Sequence, residues 1–135
     1  MKKRSISALV ILLLSVLLAA GSVSFLGPCV HEDGSFGVCH WAGNALCGIG
    51  VLLSVQSAAA LICREGRTRQ GLLLAVLMTS VLGFLIPGTM IGLCGMTTMR
   101  CRALMQPAAR VLCGLIAVTA LAGVLAENRK AGKST

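Results

Sequence analysis

The chain has no tyrosine, one tryptophan and three phenylalanines. With aromatics at 3% there is no platform on which bases could stack, so the formal charge of +8 is not read as a nucleic-acid-binding signature. Acids are also scarce. Glu32, Asp33, Glu65 and Glu127 are the only four, and they are split between the two faces that the apolar runs below define, so paired-carboxylate chemistry is not expected. No CxxC pair occurs, which removes the commonest zinc and dithiol signature. The stretch "GNALCGIG", residues 43–50, has glycines but no following Lys-Ser/Thr, so it is no phosphate loop. No Ser/His/Asp arrangement stands out, and an enzymatic role is not the expectation. Charged residues make up 12% of 135 positions against 56% hydrophobic, too few to keep so much aliphatic surface in water.

What fills the chain instead is four long apolar runs: Ile6 to Leu26, Trp41 to Cys63, Leu72 to Cys94 and about Ala108 to Ala126. At 1.5 Å per residue each would span roughly 30 Å as a helix, the thickness of a hydrocarbon core. None alternates polar with apolar positions, as the strands of a membrane barrel would. The expected fold is therefore an all-α membrane protein, a single four-helix bundle over 1–135 with the lipid bilayer as its main partner. Gly50, Ser54 and Ala58 recur every four residues, as do Gly88 and Gly92, and small-residue ridges of this kind let helices approach closely. Pro87 is expected to kink the third helix or end its regular part, and "ENRKAGKST", residues 127–135, to be a frayed, solvated tail.

Charge sets the orientation. Lys2, Lys3, Arg4, Arg64, Arg67, Arg69, Arg129, Lys130 and Lys133 fall on one side if the helices alternate, and Arg100, Arg102 and Arg110 on the other. Nine against three puts both termini in the cytoplasm of a multi-pass protein of the cytoplasmic membrane, with loops 27–40 and 95–107 outside. "MKKRS", an apolar run and "AAGS" also fit a cleavable secretory signal, but the run is long for a signal core and "GPC" continues directly from it. A retained first helix is the expectation.

Six of the seven cysteines, Cys29, Cys39, Cys47, Cys94, Cys101 and Cys113, then sit in the outer loops or the outer third of a helix. Both histidines, His31 and His40, join them, with Met96, Met99 and Met105. Cysteines without a role would be spread along the helices. Cys63 alone is at the opposite end and reads as an inert, buried thiol. His40, Asn44 and Cys47 share one helical face by spacings of four and three, and Arg110 shares one with Cys113. Arg110 can snorkel to the outer interface or face the bundle interior. Trp41 reads as an interface anchor, the methionines alone as packing, and His31, beside Glu32 and Asp33, as a solvated loop residue.

Two chemistries compete for this set. Thiolate and thioether ligands suit Cu(I), and Cys with His also suits Zn²⁺; the methionines of "CGMTTMRC", residues 94–101, favour copper. Alternatively Cys29, Cys39, Cys94 and Cys101 form two bridges on an oxidising outer face, in one of three connectivities. Were 94–101 helical, Cys94 and Cys101 would be about 10 Å apart along the axis, beyond disulfide reach, so that pair needs a turn in "GMTT".

With "GPC", "CHW-x-G" (Cys39, His40, Trp41, Gly43) and "C-x4-M-x-C-R" (Cys94, Met99, Cys101, Arg102), the chain resembles a group of small bacterial membrane proteins, the domain of unknown function 4418 family. The resemblance covers most of the chain and implies four helices but no established activity. It supports reading Cys29, Cys39, His40, Cys94, Met99 and Cys101 as one constellation. Cys47, Cys113, Met96, His31 and Arg110 are secondary candidates outside it. The leading expectation is a bundle binding a soft metal, Cu(I) or Zn, on its outer face, as an accessory of a membrane transporter complex. The alternatives are a thiol–disulfide redox membrane protein, weakened by the missing CxxC, and a disulfide-stapled structural subunit of a permease.

Overall fold

A computed structural model describes residues 2–24, 38–90 and 101–134, without the side chains of residues 2–4, 38, 39, 101 and 102. Four helices follow one another: α1 (Lys2–Ser24), α2 (Val38–Ile62), α3 (Gly66–Leu85) and α4 (Gln106–Lys133), the last entered through a π-helical turn at Cys101–Met105. All four are long and apolar enough to cross a membrane.

Each neighbour in sequence runs antiparallel to the last. Ser54 Oγ lies 3.2 Å from Ser15 Oγ, and Gly50, four residues earlier on α2, faces Ala19, four later on α1. Gln56 reaches Thr79 at 3.5 Å while Ile49 meets Gly83, which sets α2 against α3. Leu73 faces Gly123 and Gly83 faces Cys113, which does the same for α3 and α4. One end of the bundle therefore gathers the start of α2, the end of α3 and the π-helical turn (the cysteine end). The other gathers the α2–α3 link and the end of α4 (the basic end).

The buried positions form a seam at spacings of three and four on every helix. They are Ala8, Ile11, Ser15, Leu18 and Ser22 on α1, and Ala42, Leu46, Ile49, Leu53, Ser57 and Ala60 on α2. On α3 they are Leu73, Val76, Ser80 and Gly83; on α4, Ala109, Cys113, Ile116, Ala120, Val124 and Glu127. Two buried positions in seven is the spacing of helices packed at shallow angles. The outside is no more polar than the inside: Leu13, Val55, Met78, Val111 and Val118 are all exposed. Serines instead lie within. Ser15, Ser22, Ser57 and Ser80 each donate to the carbonyl three residues back in their own helix, at 2.8–2.9 Å, so their hydroxyls are satisfied without a partner helix. An apolar surface over a seam of small and self-bonded residues is the arrangement that suits lipid as solvent.

Three expectations are corrected. The third helix does not run from Leu72 to Cys94: it starts at Gly66 and ends at Leu85. Ile86 donates its N–H to Leu82 O at 3.1 Å, Pro87 has no N–H to continue the ladder, and Gly88 turns the chain with φ of +93°. Gly88 therefore serves a turn, not a helix–helix ridge, and Gly92 lies outside the described residues. At the other end Arg67 and Arg69 are helical, so the link between α2 and α3 shrinks to residues 63–65. The tail is the second correction. α4 continues to Lys133, with Lys130 and Lys133 in its last turn, where cations offset the helix dipole. Gln70 Nε2 also donates to Asn128 Oδ1 at 2.6 Å. Third, Cys63 is half-buried rather than buried.

Gly83 shows how tightly α2, α3 and α4 meet. A Cβ there would lie 2.9 Å from Cys113 Sγ and 3.2 Å from Ile49 Cγ2. Gly83→Ala is expected to lower stability by about 1–3 kcal/mol through overpacking. Adding Cys113→Ala returns the volume and should recover most of the loss, as thermal unfolding in detergent would show. Two equal melting temperatures for the single and double variants would contradict that packing.

Candidate functional site

At the cysteine end, α2 opens at Val38, so Cys39 and His40 occupy its first turn. The His40 ring is half-buried, and Asn44, one turn on, brings Nδ2 to 3.2 Å from His40 Nε2. The expected shared face is thus realised as a contact that fixes the ring. Trp41 is 67% exposed and stands edge-on to His40, with 6.3 Å between ring centroids. Its position suits an anchor at a bilayer interface. Cys101 opens the π-helical turn at the same end of the bundle.

Cys47 and Cys113 carry free thiols, and they do different things. Cys47 is half-buried one turn past Asn44. Cys113 is fully buried, with its sulfur packed against Gly83 in the seam, where Ile49 also meets that glycine. Arg110, on the same face of α4, reaches the turn after α3. Its Nη2 donates to Pro87 O at 3.3 Å, and its guanidinium carbon sits 5.6 Å from the centroid of the Phe84 ring. It covers the Pro87 carbonyl in the turn that follows α3 and lies against the Phe84 ring. Gln106, one turn earlier, fills the space beside Gly88, where a Cβ would run into its amide. Both residues are committed to holding the turn after α3.

Cys29, His31, Cys94, Met96 and Met99 lie outside the described residues, as do the side chains of Cys39 and Cys101. Among the described residues, no group of three or more His, Cys, Asp or Glu side chains is placed to hold a metal ion.

The basic end holds a site that reading the sequence did not single out. Arg69 Nε stands 4.0 Å from Glu127 Oε1, with the two side chains only 11% and 8% exposed. Taking two such charges out of water is tolerated only in company, which makes a buried pair at a helix end a feature to account for. Beside it lies a cleft of about 300 Å³, walled by Ser7 of α1, Arg69 and Leu73 of α3, and Ala122, Gly123, Ala126, Glu127 and Lys130 of α4. The signal was present in the sequence. Glu127 falls three residues after Val124 and seven after Ala120, on the same stripe as Cys113. Glu127 follows directly on the last residue of the apolar run, Ala126.

A family model described as Domain of unknown function (DUF4418) matches residues 11–126, from the middle of α1 to within the last third of α4. No curated protein and no solved structure matches the chain.

Proposed function

The chain belongs to the DUF4418 family, and from that premise we propose that it is a multi-pass protein of the cell membrane which binds a soft metal ion at its outer face. Both termini lie in the cytoplasm in this reading, on the side richer in Lys and Arg. The ligands are drawn from Cys39, His40, Cys94, Met99 and Cys101, with Cys29 close in sequence to the same end. Cu(I) fits the set best, because thioethers add to thiolates; Zn²⁺ would use the cysteines and the imidazole. The protein performs no chemistry of its own and serves as an accessory or small component of metal transport.

One observation supports this reading above the others. The first turn of α2 and the π-helical turn share one end of the bundle, and the imidazole there is held by a neighbouring amide. A ligating histidine donates its second ring N–H to a neighbouring oxygen, which Asn44 supplies when its amide is turned to present Oδ1.

The test is the metal content of the full-length protein, purified anaerobically in detergent with reductant present. Wild type should carry close to one copper or zinc per chain by elemental mass spectrometry, and Cys39→Ser/Cys101→Ser should lose it without a change in elution volume. A metal-free wild type that still refuses Cu(I) on titration would overturn the proposal. Intact mass of a second preparation made without reductant, before and after reduction, shows whether the outer cysteines are bridged instead.

A further inference from the structure

We infer that the cleft at the basic end seats one anionic phospholipid, with part of an acyl chain between α1 and α4 and the phosphate over the cations at the end of α4. This shares with the proposed function only the premise that the helices cross a bilayer; it does not involve the metal.

The cleft is apolar inside and cationic at its mouth. Its floor is Leu73 of α3 and the small residues Ala122, Gly123 and Ala126 of α4. Because Gly123 has no side chain, Leu73 lies directly against the α4 backbone, where a Cβ would come within 3.1 Å of its Cδ1, and the floor of the cleft stays smooth. A volume of about 300 Å³ admits a stretch of one hydrocarbon chain rather than a whole lipid. The one acid on its wall, Glu127, is already matched by Arg69. A second, shallower groove adjoins it, sharing Ala122, Ala126 and Lys130 and adding Leu125, Arg129 and Lys133. The two make one trough along α4 that changes from aliphatic to cationic within three turns.

That gradient selects the ligand. A free phosphate would leave the apolar half of the trough wet, and an uncharged lipid would leave Arg129, Lys130 and Lys133 without an anion. A glycerophospholipid with a negatively charged head satisfies both halves. The continuation of α4 to Lys133 brings the three cations beyond its apolar stretch, at the level where headgroups lie.

The experiment is native mass spectrometry of the full-length protein released from bilayers of phosphatidylglycerol and phosphatidylcholine with matched chains. One phosphatidylglycerol is expected to stay bound where phosphatidylcholine does not. Arg129→Gln/Lys130→Gln/Lys133→Gln should weaken that retention by about fivefold for each cation removed. Ala126→Phe keeps every charge and, at an exposed position, leaves the seam untouched, yet it fills the cleft and should also abolish retention. Equal retention of the two lipids would overturn the inference. So would a preference that survives Ala126→Phe, since that is diffuse attraction to the surface. Displacement by glycerol 3-phosphate as readily as by the lipid would assign the site to a soluble phosphate.

Discussion

Gly50→Leu is expected to separate α1 from α2 and cost at least about 3 kcal/mol, the upper range for overpacking a close contact. A Cβ at Gly50 would lie 2.8 Å from the backbone nitrogen of Ala19 and 2.9 Å from its Cα and Cβ. Two of those three atoms are main chain, which no rotamer change can move aside. The helix axes themselves must part, and with them the Ser54–Ser15 contact one turn away. Gly48→Leu is the control. It lies on the same helix two residues earlier, has nothing within 4 Å of its Cβ position, and gains helix propensity of up to about 1 kcal/mol. Thermal unfolding in detergent should show a large loss for Gly50→Leu and no loss for Gly48→Leu. Matching melting curves would mean that α1 and α2 are not in backbone contact at this level.

The second large effect belongs to Arg69 and Glu127. Glu127→Leu leaves a buried guanidinium without its carboxylate, and removing one member of a buried pair costs about 3–5 kcal/mol. Arg69→Met leaves the converse problem and should cost a similar amount. The double variant is expected to recover most of the loss, because a well-packed apolar pair often replaces a buried ion pair at little cost. A double-mutant cycle on unfolding free energies should therefore return a coupling of the order of the single losses. Additive losses would show that the two side chains do not depend on each other, and that Glu127 is held by something other than Arg69.

The sequence made the long elements legible because a hydrocarbon core demands length and apolarity from every helix that crosses it. It made their ends less legible. After Pro87 the run "IGLC" stays aliphatic, so composition alone extends the helix to Cys94; the missing N–H of proline and the positive φ of Gly88 ended it at Leu85. Which face of each helix turns inward was not legible in the hydropathy, since the outside is as apolar as the inside. Ser15, Ser22, Ser57 and Ser80 marked it, at spacings that only the packed bundle makes visible. At the candidate sites the outcome was mixed. His40 and Asn44 were paired correctly from their spacing. Spacing puts Arg110 on the face of Cys113, and packing adds what spacing does not show, the Pro87 carbonyl that its guanidinium reaches. Glu127 was assigned to the tail because it follows the last apolar residue, whereas its place on the stripe carries it inside. The constellation of Cys29, Cys94 and Met99 rests on sequence and resemblance alone.

The pairing of α3 with α4 holds one phase from Arg69 to Gly83. Ten residues separate Leu73 from Gly83 on α3, and the same ten separate their partners Gly123 and Cys113 on α4. Arg69 with Glu127 continues the match, four residues further on each helix, and Arg110 closes the other end on Pro87, three residues on against four. Adding or removing one residue anywhere between these fastenings would rotate everything beyond it by about 100° and shift it by about 1.5 Å. Either the buried charges or the cover over the Pro87 carbonyl would then lose its partner. This hairpin is a ruler with both ends pinned: evolution can exchange its side chains, but its length is not free to drift.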